Sequence, residues 1–251
     1  MTEPIAGKTA LITGAERRIG RATALALAEA GVHVVVHHLG ADEAAAEVVA
    51  EAESRGVRAW AMAADFAKAE GSEALVARAR EAAGSLDILV NNASIFPPDT
   101  LDTVAFDAVV ANVRVNAWAP LVLSREFARR VGKGKIVNLL DASLGAHATS
   151  HAAYALSKHM LGMLTRMTAL EFAPDITVNA VAPGLILPPP GEDEAYLVDR
   201  AQTVPLRRHG DAQDIADAIL FLVTSRFVTG QVIYVDGGAH LGEPGSGSPL
   251  G

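Results

Sequence analysis

The chain has 251 residues, half of them hydrophobic and a fifth charged, and its 29 acidic against 21 basic side chains give a formal net charge of −8. The apolar fraction is sufficient for a buried core and excludes general disorder, and the acidic balance argues against a nucleic-acid or anionic-membrane partner. Because there is no cysteine, disulfides, thiolate metal sites and a cysteine nucleophile are excluded. No apolar run reaches the ~18 residues that span a bilayer and no signal peptide is visible, so we expect a cytoplasmic protein.

Seven short apolar runs alternate with Ala-rich helical patterns along the chain. The runs are continuously apolar, which is typical of parallel strands covered on both faces. The predicted strands are 8–13, 32–37, 57–63, 86–91, 135–139, 176–182 and 231–235, and the main predicted helices are 19–30, 41–54, 72–83, 151–172 and 211–224. This order predicts an α/β fold: a single-domain, Rossmann-like, doubly wound parallel sheet of about seven strands with helices on both faces.

The domain is expected to cover residues 1–241, with one unusual connection at 187–205. That segment is proline-rich and acidic in its middle, and connections of this length are usually lids or binding loops. Residues 242–251 are rich in Gly, Ser and Pro, which predicts a flexible tail.

A glycine-bearing turn follows the first predicted strand. Residues 13–20 read TGAERRIG and lead directly into a helix, so backbone N–H groups and the positive end of the helix point toward a pyrophosphate. Gly14 allows a tight turn and Gly20 allows the helix to pack close to the sheet. The turn predicts a dinucleotide site that includes Gly14, Arg17, Arg18 and Ile19.

The end of the second strand indicates which nicotinamide cofactor is used. An acidic residue there would bind the ribose 2′-hydroxyl and repel a 2′-phosphate. The sequence has His37 and His38 at this position, with Arg17 available from the turn. We therefore predict NADP(H).

A tyrosine and a lysine lie four residues apart in the predicted helix after the fifth strand. This spacing places Tyr154 and Lys158 on one helix face. A phenol is a poor acid at neutral pH, and a nearby ammonium favours its ionised form. The pair is therefore suited to deliver a proton as a nicotinamide delivers a hydride.

Together these residues resemble the short-chain dehydrogenase/reductase family over about residues 6–238. The resemblance rests on the Gly14 turn, Asp65, the Asn91-Asn92-Ala93 run, Asn116, Tyr154 with Lys158, Pro183-Gly184 and the closing VDGG at 235–238. It implies a nicotinamide-dependent oxidoreductase, usually a homotetramer, that needs no metal. It also implies that Tyr154 is the proton donor, that Lys158 holds the ribose and lowers the pKa of the tyrosine, and that Asn116 lies on a water-linked proton relay. Asp65 would bind the adenine, and Asn92, Ala93, Pro183 and Gly184 would line the cofactor.

Three departures from the usual family pattern resemble the pteridine reductase branch. Asp141 stands where the family has a catalytic serine, Arg18 replaces the middle glycine of the turn, and Ser94 replaces the glycine after Asn91-Asn92-Ala93. By this resemblance Phe96 covers one face of a pterin, Arg18 reaches both the cofactor phosphates and the substrate, and Ser94 adds a polar contact. The alternatives, in which neither residue contacts a substrate, are that Phe96 packs under its loop and that Arg18 only neutralises phosphate.

The chemistry of Asp141 favours nitrogen over oxygen as the atom that is protonated. A carboxylate repels the negative charge that develops on a ketone oxygen, whereas it stabilises an iminium-like state or relays a proton to it. Asp141 and Tyr154 are therefore predicted to contact a dihydropterin or dihydrofolate-type substrate. An alternative is that Asp141 caps a loop while Ser143 takes the role of the serine.

Two other functions stay open. The first is an NADPH-dependent carbonyl reductase that acts on a 3-oxoacyl thioester or a small ketone through Tyr154 and Lys158. The second is a cofactor-binding regulatory protein without turnover, against which the combination of Tyr154, Lys158 and Asn116 argues.

Overall fold

The computed structural model describes residues 3–142, 150–189 and 191–242. Ser143 and residues 243–251 of the predicted tail lie outside the described residues. Within the described part of the chain, no helix is long and apolar enough to cross a membrane.

Seven parallel strands form one sheet in the order β3-β2-β1-β4-β5-β6-β7, which confirms the predicted fold. The strand order reverses between β1 and β4, at the crevice where ligands of such sheets bind. The strands are β1 (Thr9–Ile12), β2 (His33–His38), β3 (Ala59–Ala63), β4 (Ile88–Asn91), β5 (Gly134–Leu139), β6 (Ile176–Pro183) and β7 (Val232–Val235).

Helices cover both faces of the sheet. Their bounds are α1 (Arg18–Glu29), α2 (Asp42–Ser54), α3 (Ala69–Ala83), α4 (Phe106–Val113), α5 (Ala119–Val131), α6 (Ala152–Glu171), α7 (Glu194–Ala201) and α8 (Ala212–Thr224). Helix α1 packs between α2 and α8 on one face, and α3, α5 and α6 cover the other. The five inner strands β2, β1, β4, β5 and β6 are almost fully buried between the two helical layers, which explains why their sequences are continuously apolar. The edge strands differ, since β3 contains both buried and exposed residues and β7 is half-buried.

The segment predicted as a long substrate connection, 187–205, contains helix α7. Its acidic middle supplies the helix start: the Asp193 carboxylate accepts a hydrogen bond from the Ala195 N–H at 2.9 Å. Glu194 follows in the first turn, where a negative charge is favoured by the helix dipole. The acidic run is therefore partly a helix start rather than an open loop.

A π-helical turn, Arg114–Trp118, joins α4 to α5 and contains Asn116. Single π-turns of this kind occur frequently at functional sites. Because the turn adds a residue between two α-helices, it shifts the register of α5 against α4. Neither α4 nor α5 was singled out by the sequence pattern, since the valines of α4 do not give a clear amphipathic period.

Candidate active site

The turn after β1 is packed tightly against its neighbours. Gly14 has a φ of +61°, and a Cβ there would lie 3.0 Å from the Cα of Ala93. A Cβ on Gly20 would overlap the carbonyl oxygen of Gly14, so the first turn of α1 packs directly on the loop. The two glycines are therefore needed for close packing, and the strand–turn–helix arrangement that they permit fits the pyrophosphate of a dinucleotide.

Asn92 fastens this turn to the end of β4. Its side-chain amide donates hydrogen bonds of 2.8 Å to the carbonyl oxygens of both Thr13 and Gly14. The Thr13 hydroxyl in turn accepts from the N–H groups of Asn92 and Ala93, at 2.9 and 3.0 Å. The predicted cofactor residues Asn92 and Ala93 therefore lie beside Gly14, and the amide of Asn92 holds the loop shape.

Arg18 adopts the left-handed conformation of the glycine that it replaces. Its φ is +53°, a region that costs an ordinary L-residue roughly 1–2 kcal/mol. The guanidinium donates a hydrogen bond of 2.8 Å to the carbonyl oxygen of Pro188, at the start of the segment that leads to α7. Arg18 thus connects the cofactor turn to the substrate-side segment, and Ile19 after it packs against the core.

His37 has a different environment from the one the sequence predicted. It is 2 % exposed, and its ring stacks on Phe66 at a centroid distance of 4.4 Å. The Gly14 N–H donates to Nδ1 at 3.0 Å, so Nδ1 carries no proton, and Nε2 contacts the Ala64 carbonyl oxygen at 3.1 Å. Burial lowers the pKa of His37 from 6.5 to about 4. Both ring nitrogens thus contact the protein and the neutral ring supports the turn, while a contact of His37 with the cofactor stays a prediction.

His38 and Arg17 remain at the open side of the turn. The His38 ring is mostly buried, and its Nδ1 lies 3.4 Å from the Asp42 carboxylate but makes no hydrogen bond within the described residues. The Arg17 side chain is largely exposed, with its Nε 3.4 Å from Glu16. Both side chains lie where the sequence expected contacts to a 2′-phosphate.

The remaining predicted cofactor residues lie at the carboxyl ends of β3 and β6. Asp65 accepts a hydrogen bond of 2.9 Å from the Ala67 N–H and lies 3.7 Å from the Lys68 ammonium. Pro183 ends β6, and Gly184 packs so closely on Asp236 that a Cβ would lie 2.5 Å from the Asp236 Cβ. Gly184 therefore has a structural need for glycine that is independent of any ligand.

Asp141 and Tyr154 meet at the end of β5. The Tyr154 hydroxyl donates a hydrogen bond of 2.9 Å to Oδ2 of Asp141. Burial and the neighbouring Asp141 carboxylate raise the pKa of Tyr154 well above 10. The expectation that Lys158 lowers the pKa of the tyrosine is therefore wrong for this structure, because burial and Asp141 act in the opposite direction.

Lys158 is 3 % exposed beneath the same site. Its ammonium donates a hydrogen bond of 2.7 Å to the Leu139 carbonyl oxygen and lies 5.5 Å from the centre of the Tyr154 ring. Burial lowers the pKa of Lys158 from 10.5 to about 8, although the charge of Asp141 partly opposes the shift. A lysine in this state is poised to change charge near physiological pH.

Asn116 holds the loop that follows β4. Its Oδ1 accepts from the Ile95 N–H at 2.8 Å, and its Nδ2 donates to the Ile95 carbonyl oxygen at 2.9 Å and to the Ser157 hydroxyl at 3.0 Å. The side chain is buried and fully engaged with the protein. A role for Asn116 in a proton relay would therefore have to use its backbone and not its amide.

Phe96 lies next to Tyr154. Its ring meets the Tyr154 ring edge to face at a centroid distance of 4.6 Å, and 46 % of Phe96 stays exposed. Ser94 is exposed on the same loop, and its hydroxyl makes one long contact, of 3.4 Å, to the Ile95 carbonyl oxygen. The structure thus brings together Asp141, Tyr154 and Phe96, as the sequence predicted.

Sequence reasoning missed His151, which stacks on Phe96 at a centroid distance of 3.9 Å. Its position three residues before Tyr154 was the only signal available, and it gives no indication of a ring contact across 55 residues. The described residues contain no group of three His, Asp or Glu side chains that is arranged to hold a metal ion.

Comparison with known proteins agrees with this geometry. Residues 14–240 match a family model described as enoyl-(acyl carrier protein) reductase. The chain is 36 % identical to an uncharacterized oxidoreductase of Mycobacterium tuberculosis, covering 92 % of this chain and 91 % of that protein. It is also 36 % identical to the 3-oxoacyl-[acyl-carrier-protein] reductase FabG of Staphylococcus aureus, covering 93 % and 98 %. Among solved structures it is similar to FolM, alternative dihydrofolate reductase 1 of Brucella canis, complexed with NADP, with a TM-score of 0.89, 29 % identity and 98 % of each chain covered. The chain belongs to the short-chain dehydrogenase/reductase family of oxidoreductases.

Proposed function

We propose that this protein is an NADPH-dependent reductase of a pteridine ring, of the dihydropterin or dihydrofolate type. The observation that carries the proposal is the hydrogen bond of 2.9 Å between Tyr154 and the Asp141 carboxylate, which supports protonation of a substrate by an acidic group at this position. The similarity to an alternative dihydrofolate reductase supports the same substrate class.

The residues of the β1 turn fit NADP(H). The turn between Gly14 and Gly20 would hold the pyrophosphate, and Arg17 and His38 would contact the 2′-phosphate. Asp65 would contact the adenine. When bound, NADPH supplies the hydride. The relative of known structure that holds NADP supports this choice over NAD(H).

Asp141 decides between a C=N and a C=O substrate. Reduction of a ketone places negative charge on its oxygen, and the Asp141 carboxylate would repel that charge. Reduction of a C=N bond adds a hydride, which carries two electrons, at carbon and one proton at nitrogen. The nitrogen needs a proton donor, which a carboxyl group can be.

The proton reaches the substrate from Asp141, and Tyr154 stabilises the carboxylate that remains. Asp141 passes a proton from solvent to the ring nitrogen before the hydride arrives, and the carboxylate that remains faces the iminium-like ring and accepts the hydrogen bond from Tyr154. A ketone oxygen is too weakly basic to take the proton at this stage, so its negative charge would develop beside the carboxylate. Tyr154 itself is a poor source of the proton, because its raised pKa opposes formation of a phenolate beside a second negative charge. A phenol that stays protonated is a good hydrogen-bond donor to the carboxylate.

Lys158 positions the cofactor. The ammonium is held by the Leu139 carbonyl oxygen, and it has two further N–H groups with which to hold the nicotinamide ribose. Because burial already lowers the pKa of Lys158 to about 8, its charge, and with it the cofactor contact, depends on pH in the physiological range.

The substrate lies against Phe96 on the side that is exposed. A flat heterocycle gains area and favourable ring geometry from an aromatic wall. Arg18 and Ser94 supply polar contacts from the two neighbouring loops. Arg18 also donates a hydrogen bond to the Pro188 carbonyl oxygen, so its side chain links the cofactor turn to the substrate-side segment.

A second candidate is carbonyl reduction, which the similarity to FabG favours. The two functions are separated by following NADPH oxidation with dihydrobiopterin or dihydrofolate and, in parallel, with an acetoacetyl thioester. The proposal expects turnover of a pterin and little turnover of the thioester. Strong turnover of the thioester without any turnover of the pterins contradicts it, and tight NADPH binding without oxidation of any substrate supports a regulatory binder.

We also propose that the chain forms a homotetramer. Helix α6 exposes Leu156, Met163, Met167 and Leu170 along one face, at spacings of seven, four and three residues. An apolar stripe of this kind on a helix that also carries Tyr154 suits a subunit interface. Sedimentation equilibrium measures the mass: a value of four chains supports the proposal, and a single chain at micromolar concentration contradicts it.

A further inference from the structure

The loop that carries Phe96 is fastened at both ends. At its beginning, the side chain of Asn116 makes two hydrogen bonds to the backbone of Ile95. At its end, Thr100 forms an antiparallel bridge to Ser150, immediately before the helix that carries Tyr154. The ring of Phe96 is thus held on a short segment between two fixed points.

Asp99 ties the same loop to the beginning of α6. Its carbonyl oxygen accepts a hydrogen bond of 2.7 Å from the His151 N–H, and its Oδ1 accepts one of 3.3 Å from the Ala153 N–H. Asp99 therefore satisfies two of the backbone donors that a helix start leaves unpaired. Because Tyr154 directly follows Ala153 in the first turn of α6, the positions of Phe96 and Tyr154 are coupled through this contact.

His151 occupies a strained backbone position at this junction. Its φ and ψ are 54° and 45°, in the left-handed region that residues with a Cβ rarely adopt. Strain of this kind persists where surrounding contacts enforce it, and it is concentrated at functional sites. The conformation directs the imidazole onto Phe96, with the rings 3.9 Å apart and within 7° of parallel.

Phe96 is consequently fixed by two rings from different directions. His151 covers it face to face, and Tyr154 meets it at an interplanar angle of 86°. The exposed part of Phe96 is what remains for a ligand. A flexible phenylalanine would have to be ordered by the ligand, whereas this one is ordered beforehand, which reduces the entropy cost of binding.

We propose that His151 is a specificity-determining residue of the substrate site, which holds Phe96 as a preorganised wall for a flat bicyclic heterocycle. This inference rests on the proposed placement of the substrate beside Phe96. It assigns the selection of flat rings to stacking of the imidazole and not to its charge. An acyclic substrate gains nothing from the wall.

The test measures binding without turnover. Biopterin is titrated into the protein saturated with NADP⁺, which carries no hydride to transfer, and its dissociation constant is determined by calorimetry for the wild type, His151→Asn and His151→Phe. Asparagine tolerates the left-handed backbone but has no ring to stack, and phenylalanine keeps a ring without nitrogen atoms. We expect a three- to ten-fold weaker dissociation constant for His151→Asn, the range that one aromatic pair provides, and a value within about two-fold of wild type for His151→Phe.

A cycle with Phe96→Leu provides a second measurement, in which the single variant Phe96→Leu leaves the strained backbone at His151 unchanged. If the two rings act as one wall, Phe96→Leu alone weakens biopterin binding and His151→Asn adds little to it. Four results would each overturn the proposal. In the cycle, the losses of biopterin affinity could be fully additive. Among the single variants, His151→Asn could bind biopterin like the wild type, or His151→Asn and His151→Phe could lose affinity equally, and the wild type itself could show no saturable binding. NADP⁺ affinity and the thermal transition serve as controls for folding.

The outcome is separate from that of the proposed function. If the wild type binds biopterin through this wall but does not oxidise NADPH with dihydrobiopterin, the proposed function is contradicted and the proposed role of His151 is supported. If dihydrobiopterin is reduced and His151→Asn binds biopterin like the wild type, the function stands and the wall fails.

Discussion

The hydroxyl of Tyr154 donates a hydrogen bond of 2.9 Å to the carboxylate of Asp141, thirteen residues earlier in the chain. The contact joins the segment after β5 to the first turn of α6. Tyr154 is held in its protonated form by burial and by this neighbour. The proposed function therefore treats Asp141 as the acid and Tyr154 as its hydrogen-bond donor.

Removal of the Tyr154 hydroxyl tests this division of roles. In Tyr154→Phe the carboxylate of Asp141 loses its hydrogen-bond donor, so we expect kcat to fall about 100-fold, the lower end of what a group in proton transfer contributes. The dissociation constant of NADPH and the unfolding transition should change little. A kcat within about three-fold of wild type would show that the hydrogen bond has no part in catalysis.

The conformation of Arg18 predicts a trade between stability and activity. In Arg18→Gly the strain of a positive φ is relieved, and after the larger chain entropy of glycine is subtracted we expect a gain of about 1 kcal/mol in the free energy of unfolding. The same variant loses the hydrogen bond to Pro188 and its phosphate contact, so KM for NADPH should rise. Arg18→Lys keeps the strain and the charge and is the matched control. A loss of stability in Arg18→Gly contradicts this reading of the turn.

His37 makes the stability of the fold depend on pH. Its folded pKa is about 4, against 6.5 for an exposed histidine, so between these values the unfolded chain binds more protons than the folded one. Stability from this residue is complete above pH 6.5 and is lost as the pH falls toward 4, by about 3 kcal/mol in all. In His37→Gln, whose amide oxygen can accept from the Gly14 N–H but does not titrate, denaturant unfolding should depend less on pH over this window. An unchanged pH dependence argues against the buried neutral histidine.

Lys158 predicts opposite pH trends in cofactor binding and in stability. Because its folded pKa is about 8 and the ordinary value is 10.5, the ammonium loses its proton above pH 8 in the folded protein. NADPH affinity should weaken through pH 8, while the contribution of this residue to stability rises between pH 8 and 10.5, where only the unfolded chain holds the proton. Titrations of NADPH from pH 7 to 9.5 check the first trend. In Lys158→Met the step near pH 8 should disappear, and its persistence would assign it to another group.

The seven strands and the crevice at their carboxyl ends could be predicted from the sequence because each strand is an apolar run and the five inner strands are buried on both faces. The placement of Tyr154 and Lys158 on one helix face could also be predicted, since they lie one turn apart. Helix α7 could not be predicted, because the residue types that start it, Asp193 and Glu194, are also common in acidic loops.

The features that the sequence does not reveal depend on contacts between segments that are distant in the chain. At the end of β2, His37 and His38 look alike in the sequence, but the parallel pairing of β2 places only His37 against the Gly14 N–H. The direction of the Tyr154 pKa depends on burial and on the distance to Asp141, neither of which the helix spacing reveals. The left-handed backbone of His151 likewise depends on Asp99, which is 52 residues away in the chain.

The central claim is that the Asp141 carboxyl group selects a C=N substrate, and replacement of that group tests it most directly. We would compare kcat/KM for dihydrobiopterin and for an acetoacetyl thioester in the wild type, Asp141→Ser and Asp141→Asn, the last of which keeps the shape but cannot donate a carboxyl proton. The account predicts that both variants lose about 100-fold or more with the pterin, and that Asp141→Ser alone gains activity with the thioester, because a serine hydroxyl donates to a developing alkoxide. Unchanged pterin reduction in Asp141→Ser would contradict the account.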